Sequence, residues 1–480
     1  MATMRREWLL PHLAMATAVW LPGAAHAQQL VIKPGVDVRA TATTNASEPN
    51  QAPHKDLVIS VSPEVSMSYG GARSRIDGRL KVDNLHYTRD SQPDRTLPSG
   101  ELIFRSDLVD QWGGLEASVE TRQVASPLDQ SAIPNSYTTT KALIAPFIEH
   151  AFDANTKLKA QFERSIIKSS EVTQNQAPIP DLNASQHSVR LERQPVPVGA
   201  SIEWTGQDSE AATTGLVPST YAYREHAARA GLSYALNDQL HAGLILGRES
   251  IRQEAEQQSD TIRGITLNWH PNERAALNST VERRFFGTGW KVDWNHRRPL
   301  FNWGFTSERT ASTYASSLGR PALPSADGRS TTLDPAFSLA ASLRQTFQGR
   351  VVFMGQRHAV TLSGGLDKAE PLPLNNARAV IGSATQERYV EALFSRRLTP
   401  LTSLSTSVRW TRSNVDAGNP TSPFTAQTGQ TRTLLWRGDI NTKLSPQATA
   451  TVGLRHQNAT GSQFYANDES AMYVGLGYRY

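Results

Sequence analysis

Apolar and polar residues alternate with a period of two along most of this 480-residue chain. Between Thr431 and Lys443, Leu434, Trp436, Gly438 and Ile440 fall on one face, and Arg437, Asp439, Asn441 and Lys443 on the other. Only Leu435 breaks the pattern. Leu404, Thr406, Val408 and Trp410 alternate with Ser403, Ser405, Ser407 and Arg409. Trp290, Val292 and Trp294 alternate with Lys291, Asp293, Asn295 and Arg297. Successive side chains leave opposite faces of a pleated strand, so each of these stretches is predicted to be a strand. They run about 10 to 14 residues, against ~5 to 6 for a soluble strand and ~9 to 11 for a tilted membrane-crossing one.

The connections follow the same logic. Some are short and polar, as at Leu236-Asn237-Asp238, His270-Pro271-Asn272, Asp153-Ala154-Asn155, Leu398-Thr399-Pro400 and Ser445-Pro446. Others are long and rich in Ser, Thr, Pro and Gly: 89–98, 126–137, 171–183, 207–220, 312–332, 370–384 and 415–430. The two kinds roughly alternate. The prediction is an all-β fold, an up-and-down antiparallel transmembrane β-barrel of roughly 18 to 20 strands, with short periplasmic turns and long extracellular loops. Its polar face lines a wet lumen and its apolar face meets lipid.

Composition adds the compartment. Arg5 and Arg6 precede an apolar stretch from Trp8 to Leu21, and Ala25-His26-Ala27 is a small-x-small cleavage site. Residues 1–27 therefore read as a cleaved secretory signal peptide, and 28–480 as the barrel, placed in the bacterial outer membrane. Beyond residue 27 no window approaches the ~20 apolar residues of a transmembrane helix. A mean hydropathy of -0.43 fits a wall whose two faces average out. There is no cysteine to form a disulfide or carry a lipid anchor. The final strand carries Met472, Val474, Leu476, Tyr478 and Tyr480 on one face; it is expected to close the wall and to be read by the barrel-assembly machinery.

Candidate chemistry is sparse. His187-Ser188, Glu149-His150 and Glu225-His226 are adjacent pairs, which on a strand point to opposite faces and cannot work together. The phosphate-loop, dinucleotide and His-Glu-x-x-His motifs are missing, and the twelve His do not cluster at metal-ligand spacing. The expectation is no enzyme, no cofactor, no metal and no nucleic-acid partner. Trp269, Trp290, Trp294, Trp303, Trp410 and Trp436 are assigned to a lipid-facing aromatic girdle. Arg263, Lys291, Arg297, Arg409, Arg437, Lys443 and Arg455 are assigned to the lumen, giving it a modestly basic lining. The net charge of +5, or +4 after cleavage, is slight, so balanced lumenal charge is the simpler expectation.

Three stretches carry a resemblance. They are Val281-Glu282-Arg283-Arg284-Phe285-Phe286-Gly287 with Trp290, Trp294, Arg297, Arg298 and Trp303; Phe347-Gln348-Gly349-Arg350 with Gly355-Gln356-Arg357-His358; and the ending Tyr473-Val474-Gly475-Leu476-Gly477-Tyr478-Arg479-Tyr480. In these the chain resembles the outer-membrane barrels associated with the exosortase/PEP-CTERM sorting system. Ala42-Thr43-Thr44-Asn45 departs from it, standing where that pattern has an aromatic-Thr-Asp-Asn turn. The resemblance implies a conduit or assembly component serving exopolysaccharide export or protein sorting, with exopolysaccharide or its export proteins as partners. It supplies no catalytic residue. A general solute porin, with 312–332 folded inward as a constriction, and a closed structural barrel are the rival expectations.

Overall fold

The computed structural model describes residues 30–46, 52–125, 136–169, 181–211, 221–253, 256–318, 332–333, 341–372, 383–417, 428–461 and 467–480. The signal-peptide assignment and most of the long loops lie outside them.

The first strands are β1 (Leu30–Thr43), β2 (Asp56–Gly70), β3 (Ser74–Tyr87), β4 (Arg95–Val109), β5 (Gly113–Ala125), β6 (Ser136–Ala151), β7 (Thr156–Ser169) and β8 (Leu182–Arg193). Next come β9 (Val198–Ala211), β10 (Tyr221–Asn237), β11 (Leu240–Gln253), β12 (Glu256–Asn272), β13 (Ala275–Arg284), β14 (Gly287–Arg298) and β15 (Phe301–Ser312). A short helix α1 (Tyr314–Leu318) and the two-residue β16 (Thr332–Leu333) follow. The chain ends with β17 (Ser342–Met354), β18 (His358–Pro371), β19 (Ser383–Arg397), β20 (Thr402–Ala417), β21 (Gly429–Lys443), β22 (Ala448–Gly461) and β23 (Asn467–Arg479).

Every strand except β16 pairs antiparallel with its sequence neighbours, and β1 pairs with β23 from Gly35↔Arg479 to Thr43↔Ala471. The result is one closed wall of 22 strands among the described residues. With strands ~4.8 Å apart and tilted ~40°, such a wall is roughly 40 Å across. The expected count of 18 to 20 was short because two hairpins on the long-loop rim have no loop composition. Only two residues separate β11 from β12, and only Phe285 and Phe286 separate β13 from β14. Phe285-Phe286-Gly287 is that turn; Gly287 sits at φ +94°, a left-handed conformation that suits glycine.

The five short turns named from composition all lie on one rim, and one device builds four of them, with half of it at the fifth. A side-chain oxygen accepts backbone amides two and three residues ahead, closing the reversal without help from the other strands. Asp153 accepts from Asn155 and Thr156 (both 2.7 Å), and Asn237 from Gln239 (2.9 Å) and Leu240 (2.8 Å). Thr399 accepts from Leu401 (3.2 Å) and Thr402 (2.9 Å), and Ser445 from Gln447 (3.2 Å) and Ala448 (2.9 Å). Asn272 accepts from Arg274 (2.9 Å). The Asn155 amide holds the Asp153 carboxyl below its usual range.

The wall has two faces, as the alternation requires. Outward residues such as Leu232, Leu244, Leu246, Ile265, Val390 and Leu476 are more than half exposed, although apolar. A continuous apolar outer band of this kind is stable only against lipid. Inward residues include the buried or half-buried charges described next.

Candidate functional site

The lumen is the site, and the segment after β15 shapes it. Thr313 caps α1: its hydroxyl accepts from the Ser316 amide (3.3 Å), and the Ser316 hydroxyl accepts from the Thr313 amide (3.0 Å). Gln207 of β9 donates to the Thr313 hydroxyl. Tyr314 and Ala315 are 7% and 3% exposed, packed on Ile167, Leu182, Ala184 and Ala211. Those four residues are on the lumenal side of β7, β8 and β9, since their neighbours Ile166, Val189 and Ile202 face outward. Further on, β16 pairs parallel with β5 at Thr332↔Val124 and Leu333↔Ala125. From β15 to β5 is ten strands round the wall by one path and twelve by the other. The described parts of this stretch, Thr313–Leu318 and Thr332–Leu333, therefore meet the wall at β7 to β9 and at β5, nearly opposite β15. Of the loop 312–332 expected to fold inward, residues 319–331 lie outside the described residues.

Below it the wall encloses a recess of about 510 Å³, lined by residues including Glu203, Thr205, Arg229, Glu282, Arg284 and Lys291. Most charges are paired across strands. Arg229 contacts both carboxylate oxygens of Glu282 (3.0 and 3.4 Å) and donates to Thr205 (3.2 Å). Arg284 donates to Glu249 at 2.9 and 2.6 Å and also to Glu225. Glu249, 1% exposed, in turn accepts the Phe285 amide at 2.7 Å, and Tyr223 donates to Glu225 at 2.7 Å. This cluster pins the β13–β14 turn to β10 and β11.

The basic residues assigned to the lumen divide. Arg409, Arg437 and Arg455 face inward but each meets an acid: Glu387 (3.7 Å), Asp439 (2.7 Å) and Glu469 (2.7 Å). Tyr473 adds to the second pair, accepting from Arg437 at 2.8 Å and donating to Asp439. Lys291 lies inward opposite Thr280, and Arg297 and Lys443 lie inward near the short-turn rim. Arg263 does not face the lumen. It stands directly opposite Leu246 and Arg283 on the outer face, because β12 sends its odd-numbered residues, Ile265, Leu267 and Trp269, outward. No apolar residue at 263 marks the phase, and the polar stretch above Ile265 hid it.

All six assigned tryptophans lie on the outer face. Trp269, Trp294 and Trp303 form a group near the short-turn rim, with ring centroids 6.1 and 5.6 Å apart. Trp290 lies near the other rim, and Trp410 and Trp436 lie about midway along their strands. Trp204 joins the outer face, between His187 (4.2 Å) and His226. Trp112, at a short turn, stacks on His150 at 3.7 Å. The three adjacent pairs separate as strand geometry demands: Glu225 points inward while His226 points outward, and Glu149 bonds Lys159 (2.7 Å) rather than His150. Among the described residues no three His, Cys, Asp or Glu are grouped to hold a metal.

Neither a family model nor a curated protein matches the chain. Solved structures do. The FrpB iron transporter from Neisseria meningitidis superimposes with a TM-score of 0.54 at 10% identity, over 93% of this chain and 82% of that one. The unliganded ferric citrate transporter FecA gives 0.50 at 10%, over 94% and 78%. A mutant ferric enterobactin receptor PfeA from Pseudomonas aeruginosa gives 0.50 at 9%, over 94% and 81%. The likeness is one of fold. The chain is an outer-membrane β-barrel, with its apolar band in lipid and Val474, Leu476, Tyr478 and Tyr480 on the outer face at the β1–β23 seam.

Proposed function

We propose that this barrel is a non-enzymatic conduit for bulky hydrophilic cargo across the outer membrane, narrowed by the segment that follows β15. The observation that carries the reading is the combination of a 22-strand closed wall, a polar lumenal face and Tyr314–Ala315 seated on the inner wall. A wall this wide is not filled by its own side chains, unlike an eight-stranded barrel. Because Arg229, Arg284, Arg409, Arg437 and Arg455 are paired with carboxylates, their fields largely cancel a few ångströms from the wall. Size, more than charge, then decides passage. A polysaccharide strand suits such a lumen, and the resemblance to exosortase-associated barrels supports that cargo over a small solute.

Swelling of liposomes containing the refolded protein tests this. Neutral and acidic oligosaccharides of equal length should enter at rates within about threefold of each other, since a paired lining presents a field difference of less than ~0.7 kcal/mol. Uptake of neither, by protein shown to be folded, contradicts the reading.

A further inference from the structure

On the outside of the wall, arginines stand directly opposite one another. Arg388 of β19 pairs with Arg412 of β20, and Arg412 with Arg432 of β21. Cross-strand neighbours have Cβ atoms ~5 Å apart, and like charges there repel. The row below is Val390, Trp410 and Leu434, exposed by 60%, 39% and 47%, which identifies the face as the outer one. The row above is Gln386, Asn414 and Gln430. Among the described residues, the ion pairs on these strands join Arg409 to Glu387 and Arg437 to Asp439 and leave the three arginines out. With its amide oxygen turned toward them, Gln430 accepts from Arg432 (3.1 Å) and Arg412 (3.2 Å), a neutral partner that offsets no charge.

The height of the row matters. The three arginines lie 9, 10 and 11 residues from the short-turn ends of their strands at Arg397, Thr402 and Lys443. At ~2.5 Å of vertical rise per tilted residue this is roughly 22 to 28 Å, the top of an apolar band ~25 Å tall. A second opposed pair, Arg263 and Arg283, stands above Ile265 and Val281 in the same way. On the β5–β7 side of the barrel the comparable outer row holds Thr121, Thr140 and Lys168, a single cation with no like charge opposite it.

We propose that the Arg388–Arg412–Arg432 row binds the phosphate of a phosphorylated lipid in the outward-facing leaflet. Guanidinium groups match phosphate oxygens two at a time and remain charged. A phosphate between them removes the repulsion that the register imposes. The apolar row directly beneath takes the acyl chains and the amide row above takes the polar head, so all three rows are used. Free phosphate uses only one of them, which is why the lipid is the occupant. This inference is independent of what passes through the lumen.

Native mass spectrometry of the full barrel in detergent tests it. The probes are a diphosphorylated acylated glycolipid, its fully dephosphorylated form, and inorganic phosphate as competitor. The test variant is Arg388→Gln/Arg412→Gln/Arg432→Gln, with Arg412→Gln alone as a milder form. The control is Arg298→Gln/Arg396→Gln, outer-face arginines at the other rim. Folding of each is checked by the different migration of boiled and unboiled samples. Wild type and control should prefer the phosphorylated lipid by at least about tenfold, the weight of one charge-assisted hydrogen bond, and both test variants should lose that preference. No preference in wild type, an unchanged preference in folded Arg412→Gln, or full displacement of the lipid by millimolar inorganic phosphate would each overturn the proposal, the last by marking a free-anion site.

Discussion

At the scale of single residues, the lumen is ordered by buried charges that hold each other. Glu249 is the centre of one such set: its two oxygens take Arg284 and the Phe285 amide, and it is 1% exposed. Glu249→Gln keeps the shape but leaves Arg284 with Glu225 as its carboxylate and turns an ionic contact into a neutral one. Losing one member of a buried ion set costs about 3 to 5 kcal/mol. Urea unfolding in lipid vesicles should show a midpoint lowered accordingly. A loss under about 1 kcal/mol would mean that the cluster is hydrated and does not hold the β13–β14 turn.

At the scale of the strand, the alternation read from the sequence is the physical fact on which everything rests. Val452 faces lipid and Thr451, its neighbour, faces the lumen opposite Gly475 and Asn441. Val452→Arg should destabilise the barrel by about 2 to 4 kcal/mol, and Thr451→Arg by less than about 1 kcal/mol. Equal costs, read from the same unfolding curves, would contradict the assignment of faces. Strands with regular alternation, such as β14, β20 and β21, were legible because each apolar position reports the phase of the whole strand. Where polar residues occupy both faces near a rim, the phase is lost, and Arg263 was placed on the wrong side. The turn at Phe285-Phe286 was missed because its residues have strand propensity and only the φ of Gly287 makes it a reversal. The pairing of Arg409, Arg437 and Arg455 with acids on neighbouring strands was not legible either, since register between strands depends on contacts far apart in sequence.

At the scale of the whole molecule, a closed wall of 22 strands and one inward segment define what the protein can do. The fold class was legible from strand length, alternation and the two kinds of connection. The seating of Tyr314 and Ala315 on the inner wall was not, because a segment rich in Ser, Pro and Gly has the same composition whether it points outward or inward. The central claim is a hollow barrel narrowed by that segment, and single-channel current in a planar bilayer tests it most directly. Wild type should be compared with a variant in which 314–340 is replaced by a short Gly-Ser link. Both should conduct steadily, the variant at least about twofold more, with ion selectivity little changed because the wall charges remain paired. Two silent proteins, each folded by gel mobility and strand spectroscopy, would contradict the account and leave a closed structural barrel in its place.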